Sequence, residues 1–244
     1  MTFCIALKVQ EGLVALADTR ITSGTEQTTA RKMTIHQFNG NTMFLMSSGL
    51  RSVRDKALTY FDEVIEEGQV DVDKLYKAVN IFASQIRRVA KEDKEALGEA
   101  GLSFNLHAIV GGQMERDKEH KMYLIYPQAN WIEVSQGTPY FSIGESAYGK
   151  PVLDRCLTSE TSLERALKLG YLSFNAARIA ANDVGYPLDV AMYHAKSRKM
   201  VEHRYTEESL QHVADWWQER LRTGVDQLPA DWVNSVMDKV FYGA

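Results

Sequence analysis

A chain of 244 residues, 45% hydrophobic and 25% charged, has enough apolar material for one large soluble domain with or without an appendage. Its net charge of -4 offers no basic excess for nucleic acid, and no apolar run approaches the roughly 20 residues of a membrane helix. Cys4 and Cys156, each among apolar neighbours, are too few for a disulfide framework and read as buried free thiols. No basic stretch followed by an apolar one opens the sequence, so a reduced, cytoplasmic protein is expected.

Residues 2–9 are apolar and β-prone, Glu11-Gly12 makes a turn, and Leu13 to Ala17 resumes the apolar run up to Asp18, which reads as a hairpin with a buried face. Residues 19–31, rich in Thr, Ser and Gly, read as a loop or irregular strand. Met33 to Phe38 and Met43 to Ser48 flank Asn39-Gly40-Asn41, a strong hairpin signal. Val53, Ala57, Leu58, Phe61, Val64 and Ile65 then recur at helical spacing up to Gly68. A second long helix is expected from about Val72 to Leu97, with an apolar stripe of Leu75, Val79, Phe82, Ile86 and Val89.

Strands return at Leu106 to Val110, Met122 to Tyr126, Trp131 to Val134 and Tyr140 to Ile143. Helices follow from Ala147 to Cys156 and Leu163 to Asn182, then a strand from Leu188 to His194. Blocks of strands and helices, in place of strict alternation, predict an α+β fold of antiparallel sheets with helices outside. After it, Glu207 to Leu221 and Pro229 to Phe241 read as a helical hairpin broken at Thr223-Gly224. The expected division is a domain over residues 1–200 and a C-terminal helical extension over 201–244, where Trp216, Trp217 and Trp232 either form an interaction surface or pack on the parent domain.

The second residue carries the chemistry. Thr2 is small enough for removal of Met1, which would leave a threonine whose own α-amine, titrating near pH ~8, is a base for its hydroxyl. Such a site needs a cation beside the amine, a carboxylate to hold that cation, and backbone N–H groups for the oxyanion.

The run Thr2-Phe3-Cys4-Ile5-Ala6-Leu7-Lys8, followed by Gly12 to Arg20 with Asp18, resembles the opening of a proteasome β-type subunit of the N-terminal-nucleophile (Ntn) hydrolase superfamily. Arg31-Lys32-Met33 resembles that family's catalytic-lysine segment, and Met43 to Gly49 the strand ending in its oxyanion-hole glycine. Ile143 to Gly149 and Val184 to Val190 resemble two later turns, in family order. Within the superfamily, Arg31-Lys32-Met33, Ile143-Gly144-Glu145, Tyr148-Gly149-Lys150-Pro151 and the helical extension are most similar to Anbu, the bacterial ancestral β homologue.

The resemblance implies a four-layer αββα sandwich and a threonine peptidase with Thr2 as nucleophile and its amine as general acid/base. Lys32 would lower the hydroxyl's pKa, Asp18 would fix Lys32, and the Gly49 N–H would meet the oxyanion. The chain departs from the pattern at Glu145-Ser146, where the family has a serine beside the nucleophile. It departs again at Ala180-Ala181-Asn182-Asp183, where Asp183 as stand-in for a serine and Asn182 as hydrogen-bonding group are both open.

No metal or cofactor is expected, since His36, His107, His120, His194, His203 and His212 show no metal-ligand spacing and there is no phosphate loop. A metal-dependent hydrolase is therefore the weaker class. A non-catalytic scaffold of the same fold is the alternative. The resemblance further implies a homo-oligomeric ring or helical assembly, peptide substrates, and ATP-grasp and transglutaminase-like proteins as neighbours; neither nucleic acid nor membrane is an expected partner.

Overall fold

The computed structural model describes residues 2–23, 26–38, 40–68, 70–145 and 147–242. The chain enters directly on two strands, β1 (Phe3–Val9) and β2 (Gly12–Asp18), buried along almost their whole length. Their residues alternate in size. Cys4, Ala6, Ala15 and Ala17 face a second sheet, while Phe3, Leu7 and Leu16 turn outward to a helix. Small residues on the inner face let the two sheets come close, and large ones on the outer face fill the sheet–helix layer.

The other elements are β3 (Arg20–Ser23), β4 (Glu26–Thr29), β5 (Met33–Phe38), β6 (Asn41–Gly49), α1 (Arg51–Glu66), α2 (Leu75–Glu99), β7 (Leu106–Gly112), β8 (Lys121–Ile125), β9 (Trp131–Glu133) and β10 (Tyr140–Gly144). Then come α3 (Lys150–Cys156), α4 (Leu163–Ala180), β11 (Leu188–His194), β12 (Lys199–Tyr205), α5 (Glu207–Asp226) and α6 (Asp231–Tyr242). One antiparallel sheet runs β10-β1-β2-β11-β12, a second β5-β6-β7-β8-β9, and β3-β4 form a two-stranded arm.

Met33, Phe44, Met46, Ile109 and Met122 of the second sheet meet the alanines of the first, making the inner layer. On the outer face of the second sheet, Leu45, Ala108 and Val110 pack against Phe61 of α1 and Val79, Phe82 and Ile86 of α2. On the other side Phe174 of α4 meets Phe3 edge to face, with ring centroids 5.8 Å apart. The result is helix, sheet, sheet, helix: the expected α+β sandwich of four layers.

Several expectations need correction. Within 19–31 the strand alternative holds, as the two short strands of the β3-β4 arm, and β12 adds an unexpected edge strand after β11. The expected boundary after residue 200 falls inside β12; the first compact unit closes at Thr206 and the second opens at Glu207. α2 begins at Leu75 instead of Val72, because Asp117 reaches across to accept the Leu75 N–H at 2.9 Å and so caps the helix there. Helix α5 runs through Thr223-Gly224 to Asp226, a single glycine costing only about 1 kcal/mol in a helix interior. Cys156 is half-buried, unlike Cys4. The Asn39 of the expected turn lies outside the described residues.

Taken by itself, the second unit is two helices without a core. No residue of α5 is buried, and Trp216, Val225, Trp232, Val236, Val240 and Phe241 are exposed. Among the described residues no helix is long and apolar enough to cross a membrane.

Candidate active site

The site is built where β1 begins and β2 ends. Antiparallel pairing sets Cys4 opposite Ala17, so the last residue of β2, Asp18, comes level with Phe3. Asp18 is completely buried, and its Oδ1 accepts the backbone N–H of Phe3 at 2.7 Å. Thr2, the next residue back, is 8% exposed. Pairing of β1 with β10 sets Phe3 opposite Gly144, and Glu145 N–H donates to the Thr2 carbonyl at 2.7 Å. Gly144 has φ +83°, and a Cβ there would lie 1.8 Å from the Thr2 carbonyl oxygen. Only glycine allows that approach.

Lys32 enters from the second sheet, immediately before β5, with its Nζ 2.7 Å from Asp18 Oδ1. Both side chains are buried, 2% and 0% exposed, so this is an ion pair held between the two sheets and out of water. Burial pushes the Asp18 carboxyl above its ordinary value, while the Lys32 ammonium and the N–H groups of Phe3 and Gly185 pull it back. The Gly185 N–H reaches Asp18 Oδ2 at 3.4 Å. Burial also pushes the neighbouring Cys4 thiol up, keeping it protonated and removing it as a rival nucleophile.

The Lys32 carbonyl accepts the Ser47 N–H at 3.1 Å, which ties the lysine to β6. Two residues on, Gly49 closes that strand at φ +142°, where a Cβ would stand 1.9 Å from the Asn105 carbonyl oxygen. Bonds in the structure thus join Thr2's neighbour Phe3, Asp18, Lys32 and the Gly49 strand in one chain of contacts. Of the supporting residues expected from the sequence, Glu145 meets Thr2 through its main chain. Ser146 lies outside the described residues, as does Met1. Asn182 is exposed, and its carbonyl accepts Arg20 Nη1 at 3.0 Å; Asp183 sits half-buried in the same turn.

Three residues at the site went unassigned in the sequence. Arg20 packs so tightly on the 182–185 turn that a Cβ on Gly185 would be 2.2 Å from its guanidinium carbon. Gly144 clamps Thr2 as described. Ser47 is buried with its hydroxyl unbonded among the described residues, beside the Lys32 carbonyl. All three stand in the runs that carry the family resemblance, but nothing local marks a contact made across the fold. Among the described residues no group of His, Cys, Asp and Glu could hold a metal ion.

No protein-family model and no curated protein matches the chain. Solved structures do. Anbu (ancestral beta-subunit) from Yersinia bercovieri is 30% identical with a TM-score of 0.86, over 93% of this chain and 97% of that one. The helical assembly of the Anbu complex from Pseudomonas aeruginosa gives 28% identity and a TM-score of 0.87, over 93% and 97%. Anbu from Hyphomicrobium sp. strain MC1 gives 27% and 0.83, over 93% and 98%. The chain therefore belongs to the Anbu family of ancestral β-subunits and has their proteasome-like Ntn-hydrolase fold.

Proposed function

We propose that the protein is an N-terminal-threonine peptidase working in the cytoplasm without a cofactor. Removal of Met1 frees the Thr2 amine, which takes the hydroxyl proton as Oγ1 attacks a peptide carbonyl. The Gly49 N–H receives the oxyanion, and the amine returns the proton to the departing amine. An ester to Thr2 remains, and water, deprotonated by the same amine, hydrolyses it. Lys32 holds positive charge near the hydroxyl, and Asp18 holds Lys32. The observation that supports this reading best is the buried Lys32–Asp18 pair, one of whose carboxylate oxygens also binds the N–H of Phe3. A buried ion pair is costly to build, and its position next to residue 2 gives that cost a use.

Self-association completes the proposal. The Pseudomonas aeruginosa homologue is a helical assembly, and the exposed apolar residues of α5 and α6 supply this chain with a surface to bury. Thr2→Ala and Lys32→Ala should each lower hydrolysis of a fluorogenic peptide panel by about 1,000-fold or more while assembly size stays unchanged. Undiminished hydrolysis in Thr2→Ala would overturn the assignment; no hydrolysis in any form would leave a scaffold subunit.

A further inference from the structure

The far end of the first sheet, away from Thr2, holds a concave site. β1 runs away from Thr2 over Phe3–Val9, and at about 3.3 Å per residue its far end lies about 20 Å from the threonine. There the ends of β1, β7 and β9 and the turns around residues 159–160 and 195–196 surround a cleft of about 780 Å³. That is the size of a small-molecule site, roughly 300–1,000 Å³.

Two of its lining side chains, Gln113 and His120, are polar and buried, and Gln113 is held from behind by groups outside the cleft. Tyr193 Oη donates to Gln113 Oε1 at 2.9 Å, and Gln113 Nε2 donates to the Asp117 carbonyl at 3.1 Å. His120, 5% exposed, lies with Nε2 2.8 Å from the Val9 carbonyl oxygen. A carbonyl only accepts, so Nε2 carries the hydrogen. Burial lowers the imidazole's pKa, and the ring stays neutral at pH 7. Nδ1 is therefore a lone-pair acceptor, and no described residue bonds it.

The rim is charged, and its charges are only partly matched. Glu119 takes Lys8 and Lys121, and Glu133 takes Lys121. Lys118, Lys196 and Glu160 line the same cleft without an ion pair among the described residues. Two ammonium groups, one carboxylate and one neutral acceptor remain. That set complements a ligand bearing both a carboxylate and an ammonium.

We propose that this cleft binds a short peptide with free termini, its carboxylate held by Lys118 and Lys196 and its ammonium by Glu160 and His120 Nδ1. Peptides of this kind are what the reaction proposed at Thr2 releases, but the binding site stands without that reaction. Backbone groups around the cleft are already committed, as in Lys8 N–H to Pro139 and Gln10 N–H to Ser159, so the charged side chains carry the selectivity.

Calorimetry on the full-length Thr2→Ala protein tests this, with the dipeptide Ala-Ala as probe. Ala-Ala should bind, and N-acetyl-Ala-Ala-amide should bind at least about tenfold more weakly because both charges are gone. Lys118→Ala/Lys196→Ala, both at exposed positions, should weaken Ala-Ala by about tenfold or more. Lys91→Ala/Lys94→Ala on α2, which removes the same charge elsewhere, should leave binding unchanged. Absence of binding to Thr2→Ala, equal binding of the capped dipeptide, or equal loss in the two lysine pairs would each overturn the proposal. Because Thr2 is replaced throughout, none of these results bears on the nucleophile.

Discussion

The Lys32–Asp18 pair makes the firmest quantitative demand on the structure. Replacing Lys32 by Met leaves a carboxylate at 0% exposure, with the Phe3 N–H at 2.7 Å and the Gly185 N–H at 3.4 Å as its remaining bonds. Removing one partner of a buried ion pair costs about 3–5 kcal/mol. The two remaining N–H bonds put the expected loss near the lower figure, about 3 kcal/mol. Asp18→Asn keeps an oxygen for Phe3 but removes the buried negative charge 2.7 Å from the Lys32 ammonium, so it should cost a similar amount. The double variant Asp18→Asn/Lys32→Met leaves no net buried charge and should recover about 2 kcal/mol relative to the sum of the singles. Urea unfolding at fixed protein concentration reads this directly. With a slope of about 3 kcal/mol/M, each single variant should move the midpoint by about 1 M. Shifts below about 0.3 M that simply add in the double variant would refute a tight, water-excluded pair.

Gly144→Ala should cost about 2 kcal/mol or more, combining a left-handed backbone penalty with loss of the Glu145–Thr2 hydrogen bond, and should lower peptide hydrolysis further than thermal stability. A variant as stable and active as the parent would show that the clamp on Thr2 is not needed. Burial lowers the pKa of His36, His107 and His120, so the fold favours their neutral forms. Stability from them is complete above the unfolded value of about 6.5 and is lost as pH falls through the lower folded values. The urea midpoint should therefore be flat from pH 8 to 7 and fall between about pH 6.5 and 5, less steeply in His120→Gln; a midpoint that rises over that range would contradict the assignment. Trp232→Ser/Val236→Asp/Val240→Asp should reduce the mass measured by light scattering without changing the helical circular dichroism of the first unit. An unchanged mass would move the self-association surface away from α6.

Legibility of the fold followed burial. β1, β2 and β6 are readable because their apolar runs end at turn residues such as Gly12 and Gly40, and α2 because its stripe of Leu75, Val79, Phe82, Ile86 and Val89 faces the sheet. β12 escaped because Lys199–Tyr205 is exposed along most of its length, so no face carries an alternating pattern. The same holds for β4, whose Glu26–Thr29 is exposed throughout. At the site, Asp18 reads locally as a turn residue and Lys32 as a surface lysine. Only resemblance joined them, and the structure brings them to 2.7 Å. Arg20 meets Asn182 and Gly185 across more than 160 residues of chain, a contact that no local pattern encodes.

The claim on which the proposed function stands is that Thr2 becomes a free N-terminal nucleophile. Intact-mass spectrometry of the purified protein, before and after incubation with a threonine-directed peptide epoxyketone, tests it most directly. The expected result is a mass beginning at Thr2 and the gain of one inhibitor per chain, abolished in Thr2→Ala. A mass that retains Met1 and gains nothing would contradict it.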